Sequence, residues 1–223
     1  MLKICIVGPH QCGSTRLFNL VRLLYQDKKV HSCWSYQIKS NDDKKYDVIV
    51  SKKHFTNKEY LNKFDIVIMP YRDVRDAAIS HHKKMISKGN RGFKSINSYI
   101  TFCNHYINIF NSMLKHTNYL FKYEEYNLEY IKKLCQFLKI NKTDAELNNI
   151  LIELDKLHKS SQIVKYRNFK NTQYQKTLLT QSHNTANGKS NKYKTHFSLE
   201  ENKKILQNTK IYNFLSKYGY LGT

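Results

Sequence analysis

The chain has 223 residues, 40% of them hydrophobic, with 38 Lys and Arg against 17 Asp and Glu for a formal net charge of +21. This length and apolar content suit one α/β domain spanning 1–223 and exclude a disordered chain. The charge asks for an anionic partner such as a nucleotide, a nucleic acid, an acidic glycan or a membrane surface, although abundant Lys, Asn, Ile and Tyr with only two prolines is also the mark of AT-rich coding.

No nucleic-acid-binding motif accompanies the charge, so a nucleic acid is not the expected partner. No apolar run approaches a transmembrane segment and no signal-peptide pattern is present, so a soluble, cytoplasmic protein is expected. The five cysteines (Cys5, Cys12, Cys33, Cys103, Cys135) are scattered without a C-x-x-C pair, which indicates neither a zinc site nor a disulfide framework.

Leu2 to Val7 (LKICIV) is a short apolar run rich in β-branched residues and predicts a buried strand. Gly8-Pro9-His10-Gln11-Cys12-Gly13-Ser14-Thr15 follows, and Leu17, Leu20, Val21 and Leu24 then recur at helical spacing from near Ser14. A glycine-bounded loop between strand and helix points backbone N–H groups and the positive end of a helix at one spot, which suits a phosphate or sulfate. The loop nearly spells G-x-x-x-x-G-K-[ST], but Ser14 stands where a triphosphatase carries Lys, which argues against ATP or GTP hydrolysis. The bland reading of the loop by itself is a strand-turn-helix corner with no ligand.

His31 to Ile38 predicts a second strand, Asn41 to Lys45 a polar turn, and Asp47 to Ser51 a third strand with Lys52-Lys53-His54 at its end. Thr56-Asn57-Lys58-Glu59 has the form of a capping box before a short helix. Asp65 to Tyr71 is another buried strand, with Arg72-Asp73 beyond it and a helix capped near Asp73 running to about Lys88. After the loop Gly89 to Gly92, Ile96, Ile100, Cys103, Ile107, Phe110 and Leu114 mark a long amphipathic helix. Asn118 to Tyr123 predicts a strand, Leu128 to Leu138 a helix, and Thr143 the cap of a helix through Leu157. Residues 159–194 are polar and poorly periodic and predict a long loop or lid, with room for a short helix; Ser198-Leu199-Glu200-Glu201 is a second capping box opening the last helix.

Strands alternating with helices predict a three-layer α/β fold, a central parallel sheet with helices on both faces. Ligands of such sheets bind beyond the C-terminal ends of the strands. Three chemical clusters fall at such ends: the glycine loop, Lys52 to His54, and Arg72 to Ser80.

Together these residues resemble the sulfotransferases that use 3′-phosphoadenosine-5′-phosphosulfate (PAPS), proteins of a P-loop-like fold. The family's loop, P-[KR]-[SC]-G-[ST]-T, is matched by Gln11-Cys12-Gly13-Ser14-Thr15, and its R-[ND]-x-x-D-x-x-x-S signature in full by Arg72 to Ser80. Its K-x-H is matched by Lys52-Lys53-His54 and its strand-end Tyr-Glu by Tyr123-Glu124; Tyr218-Gly219-Tyr220 is a typical ending. A basic, glycine-containing segment before the last helix is matched loosely by His183 to Lys194, including Gly188 and Lys189.

The resemblance implies a sulfotransferase that moves the sulfuryl group of PAPS to a hydroxyl or amine acceptor by in-line displacement and releases 3′-phosphoadenosine-5′-phosphate (PAP). It implies that Gln11, Cys12, Gly13, Ser14, Thr15 and Arg16 surround the 5′ end of the nucleotide, that Arg72 and Ser80 grip its 3′-phosphate, and that Tyr123, Gly188 and Lys189 add contacts. His54 is then the general base and Lys52 the cation on the transferring group, with no metal required. The acceptor is open, an acidic glycan or a small molecule, walled by the helix Ile96 to Leu114 and by 159–194. Gln11 departs from the family, which carries Lys or Arg there; His10, Arg16 or Lys52 are the candidates to replace that charge. The departure keeps two other functions open: a PAPS- or PAP-binding protein of the same fold with impaired catalysis, and a nucleotide kinase-type phosphoryl transferase with an unusual loop.

Overall fold

The computed structural model describes all residues except 35, 36, 40, 55–57, 161, 162, 166, 169, 184–189, 222 and 223, and the side chains of Asp43 and Ser182. Five strands, β1 (Leu2–Val7), β2 (Val30–Trp34), β3 (Val48–Lys53), β4 (Ile66–Tyr71) and β5 (Tyr119–Lys122), form one parallel sheet in the order β2-β3-β1-β4-β5. The helices are α1 (Ser14–Leu24), α2 (Lys58–Leu61), α3 (Val74–Ser87), α4 (Ile96–Leu114), α5 (Leu128–Leu138), α6 (Asp144–Lys159), α7 (Thr172–Thr177), α8 (Tyr193–His196), α9 (Leu199–Leu206) and α10 (Thr209–Lys217).

Both faces of the sheet are covered, which is why its strands read as continuous apolar runs. Ile4 and Ile6 of β1 face the cluster built by α1, α5, α6 and Tyr174 of α7. Cys5 and Val7 face the opposite cluster, built by α3, α4, α9 and α10. The α/β architecture expected from the alternation of elements is the one formed. No helix among the described residues is long and apolar enough to cross a membrane.

The elements largely keep the bounds their patterns predict. The capping boxes at Thr143 and Ser198 are both closed, and Asp73 caps α3 by accepting from the Arg75 N–H at 2.8 Å. Two of the four residues of the Thr56–Glu59 box, Thr56 and Asn57, lie outside the described residues. Strand β2 stops at Trp34, short of Ile38, where the Trp34 N–H turns to the side chain of Gln37 at 3.0 Å. The expected single last helix is two, because Asn208 accepts from the Ile211 N–H at 3.2 Å and caps a fresh helix.

Within the polar stretch 159–194, α7 and the turn Gln181–His183 pack onto the body of the fold. Tyr174, Thr177, Leu178 and Leu179 are buried, and Asn19 of α1 donates to the Thr177 carbonyl at 2.8 Å. Too few apolar residues, too unevenly spaced, carry this packing for a period to show in the sequence.

The strand order reverses at β1, whose neighbours β3 and β4 lead to opposite edges of the sheet. The glycine loop therefore opens at a topological switch point, with the ends of β3 and β4 on either side.

Candidate functional site at the end of the sheet

The loop between β1 and α1 is shaped by backbone conformations that few residues accept. Gly13 has φ 90° and Gln11 φ 66°, so the chain reverses twice before the helix begins. At Gly13 a side chain is also excluded sterically, because a Cβ would lie 2.2 Å from the Tyr123 ring. Gly13 caps α1 without a side-chain hydrogen bond, which leaves the first-turn N–H groups directed out of the helix end beside the buried hydroxyls of Ser14 and Thr15. Cys12 is turned inward; burial pushes its thiol up to about 11, so it is packing rather than chemistry. Arg16 points away from the loop, pairing with Asp155 at 2.6 Å and lying over the Tyr126 ring at 4.7 Å.

Strand β3 delivers the next groups. Strand alternation sends Lys52 and Lys53 to opposite faces: Lys53 lies over the Tyr60 ring at 3.6 Å, whereas Lys52 is almost wholly buried and donates a hydrogen bond to Thr15 Oγ1. Burial, with the positive charge of Lys84 second, lowers the Lys52 ammonium from 10.5 to about 7. His54 follows, its carbonyl accepting from the Gly8 N–H at 3.1 Å, which ties the strand end to the loop. Its ring lies 4.3 Å from that of His10 and 5.8 Å from that of Trp34, and its Nδ1 is buried with no hydrogen-bond partner among the described residues. Burial, then Lys52, hold the His54 imidazole well below its ordinary range, so it is neutral at physiological pH. His10 is lowered to about 4, first by burial.

A third histidine, His183 from the polar stretch, completes this side. His183 Nδ1 lies 2.9 Å from the Thr180 nitrogen and 3.1 Å from its carbonyl oxygen, and Nε2 meets Thr15 Oγ1 at 3.1 Å. Thr15 is thus approached by both Lys52 and His183. In the sequence His183 stands out only as the first residue of the loosely matched basic segment, in a stretch with no period; the chain's return to α1 is what places it here.

Strand β4 and α3 supply the other end of the cleft. Arg72 is buried, its guanidinium 4.4 Å from the centre of the Tyr123 ring and 3.5 Å from Asp76. Tyr123 therefore touches both Arg72 and Gly13 and joins the two motifs. Asp76 also accepts from the Tyr193 N–H at 3.0 Å, so one carboxylate holds Arg72 and the start of α8 together. Ser80 is buried one helical turn beyond Asp76, and its Oγ has no hydrogen-bond partner among the described residues. Glu124 accepts from the Asp73 N–H at 3.2 Å and from the Tyr220 hydroxyl at 2.9 Å, which ties the segment after α10 to this corner.

Of the residues singled out in the sequence, Gly13, Ser14, Thr15, Lys52, His54, Arg72, Ser80 and Tyr123 converge on one end of the sheet. Gly188 and Lys189 lie outside the described residues. Lys53, adjacent to His54 in sequence, is on the other face and is not among the groups that depress the ring; burial, Lys52, His10, Lys84 and Arg167 are. No group of three or more His, Cys, Asp or Glu among the described residues is arranged to hold a metal ion.

The fold has known counterparts. The chain superposes on mouse sulfotransferase SULT7A1 complexed with PAP with a TM-score of 0.68 and 14% identity, covering 97% of this chain and 88% of that one. It superposes on retinol dehydratase in complex with androsterone and the inactive cofactor PAP with a TM-score of 0.60 and 13% identity, covering 96% and 80%. No family model and no curated protein matches the sequence. The chain has the P-loop-like α/β fold of these PAP-bound structures.

Proposed function

We propose that the protein is a PAPS-dependent sulfotransferase acting on a hydroxyl or amine acceptor. The observation that carries this is the meeting of Lys52 with Thr15 of the glycine loop, beside a neutral His54. A nucleotide with anions at both its 3′ and 5′ positions fits the groups present. Ser80 offers a buried hydroxyl in need of a partner, next to the guanidinium-bearing end of β4. Gly13 lets the Tyr123 ring pack directly against the loop, at the end of a helix with no side-chain cap. In this reading Gln11, Cys12, Gly13, Ser14 and Thr15 hold the 5′ end through backbone N–H groups and hydroxyls, and Arg72 and Ser80 hold the 3′-phosphate.

The donor substrate supplies a sulfuryl group on a phosphate leaving group. His54 accepts the proton of the acceptor hydroxyl; the acceptor oxygen forms the new bond to sulfur as the bond from sulfur to the bridging oxygen breaks, and its electron pair leaves on the 5′-phosphate of PAP. Lys52 and the hydroxyl of Thr15 stand where charge develops during this exchange, so the chain's contribution is positioning and charge stabilisation. A depressed pKa keeps His54 unprotonated and so able to accept a proton at pH 7, at the cost of basicity.

Gln11 favours a second reading, a PAP-binding protein with little turnover, because the loop lacks a cation and Arg16 is paired elsewhere. Calorimetry with PAP, beside a radiolabelled sulfate-transfer assay over a broad acceptor panel, decides between them. PAP binding with transfer supports the sulfotransferase; PAP binding without transfer to any acceptor supports the second reading. Absence of PAP binding removes both.

A further inference from the structure

The donor's two anionic ends account for Lys52, Arg72, Ser80 and the loop, yet cations remain. Asp76, Ser80 and Lys84 follow one another at four-residue spacing on α3, so they form one stripe along a helix face. The stripe descends from the buried Arg72–Asp76 pair to Lys84 at the level of the histidines: the charge of Lys84 acts on His10, Lys52, His54, His81 and His183. From the opposite wall, Arg167 places its guanidinium 5.0 Å from the centre of the Trp34 ring, the same ring that carries the Lys52 ammonium at 4.9 Å and has His54 beside it. Lys84 and Arg167 act on each other and on Lys52.

No carboxylate among the described residues is paired with Lys84 or Arg167, whereas Arg16, Arg72, Arg75, Lys122, Lys132, Lys142 and Lys203 each have one. Burial and its cationic neighbours depress Lys84 to about 8. Lys84 is half-buried and Arg167 exposed; like charges gathered without a counter-ion destabilise the fold by themselves, and a bound anion relieves this. The groups around them are those of the acceptor side. His10 and His81 lie within reach of Lys84; His81 stacks on Phe102 at 4.6 Å, and Phe102 with His105 lines an open groove of about 480 Å³ along α4.

We propose that Lys84 and Arg167 form an oxyanion-binding subsite on the acceptor side of Lys52 and His54, and that the acceptor carries a carboxylate or ester sulfate near the group it presents to His54. The inference rests on the sulfotransferase reading and adds to it a class of acceptor and the two residues that select it. The groove lining itself (Phe93, Asn97, Ser98, Thr101, Phe102, His105) has aromatic faces and neutral polar groups with no lysine or carboxylate, so the charge is read at the transfer site and the body of the acceptor along α4.

The test uses the full chain saturated with PAP, so that the donor's phosphate contacts are already filled. Matched hydroxyl compounds are titrated in pairs, carboxylate against carboxamide and sulfate monoester against the parent alcohol. Within pairs, the charged member is expected to bind at least about tenfold more tightly to the wild type, the scale of one charge-assisted hydrogen bond. That preference should disappear in the Lys84→Gln, Arg167→Gln double variant and return in part in Lys84→Arg. PAP affinity should stay within about twofold of wild type in all of them. No preference for the charged members, failure of every compound to bind, or survival of the preference in the double variant would each overturn the proposal. So would a tenfold loss of PAP affinity in Lys84→Gln, since the lysine would then serve the donor. Failure of the wild type to bind PAP would sink the functional reading itself, a result separate from any of these.

Discussion

The Lys52 ammonium donates to Thr15 Oγ1, bridging the end of β3 to the first turn of α1. The bond places a buried cation at a loop whose N–H groups are free of a side-chain cap. It also sets a pH dependence. In the free protein Lys52 titrates near 7; an anion bound against it raises that value toward the ordinary 10.5. Between the two values, binding must take up a proton, and affinity for PAP must fall as pH rises above about 7, by at most about tenfold per pH unit for one proton. Calorimetry at pH 8 in buffers of different ionisation enthalpy should show net uptake, and Lys52→Met should abolish it. A wild-type enthalpy independent of buffer would show that no such proton moves.

His54→Ala should leave PAP affinity nearly intact and lower turnover by about 10²–10⁴-fold, the usual contribution of a general base. In the wild type the rate should fall as pH drops through the pKa of His54, since the imidazolium cannot take the acceptor's proton. Burial and Lys52 depress that pKa, so the acidic limb should lie well below 6.5. A folded His54→Ala protein with normal turnover and the same pH profile would move the role to another group, His10 being nearest at 4.3 Å.

Ser80 offers a cleaner test of the 3′-phosphate contact than Arg72, because Arg72→Ala also strands the buried carboxylate of Asp76. Removing a buried hydroxyl that has no partner among the described residues should leave the melting temperature unchanged or raise it. If Ser80 receives the 3′-phosphate, Ser80→Ala should weaken PAP by about 1.5–3 kcal/mol, about tenfold to a hundredfold. It should leave the affinity for adenosine 5′-phosphate, which lacks the 3′ group, unaffected. An equal loss for both nucleotides would place the hydroxyl elsewhere.

Gly13→Ala carries two penalties that can be separated. The left-handed backbone at φ 90° costs an alanine about 1–2 kcal/mol, and the collision with Tyr123 adds about 1–3 kcal/mol of overpacking. Denaturant unfolding should show both in Gly13→Ala, and only the first when Gly13→Ala is made in a Tyr123→Ala background. Full additivity of the two substitutions would mean that Tyr123 does not close over the loop.

Much of this architecture was open to inspection in the sequence, because its signals are local. A buried parallel strand shows as an unbroken apolar run such as Leu2 to Val7, and a capping box shows as Ser198 and Glu201 three residues apart. A helix like α4 repeats its apolar residues every three or four positions over nineteen residues, and its bounds can be read directly. Gly8, Gly13, Lys52, His54 and Arg72 stood out for the same reason, each at a strand end or in the loop that follows it, and Ser80 through its fixed spacing from Arg72 about two helical turns on. What could not be read is set by distance across the fold. Which lysine of the Lys52-Lys53 pair enters the cleft depends on which face of the sheet α1 covers. Arg16 follows the loop in sequence but turns to Asp155, 139 residues away, because a helix rotates each successive residue by about 100°. Trp34 stands beside Lys52 through the pairing of β2 with β3, but His183 reaches Thr15, and Arg167 the Trp34 ring, only through the packing of a segment whose buried residues Tyr174, Leu178 and Leu179 have no period to announce them. Local propensity and hydrophobic period thus determined the elements and their order, while the tertiary arrangement alone decided which charged side chains share the low-dielectric end of the sheet, and with that their pKa values and partners.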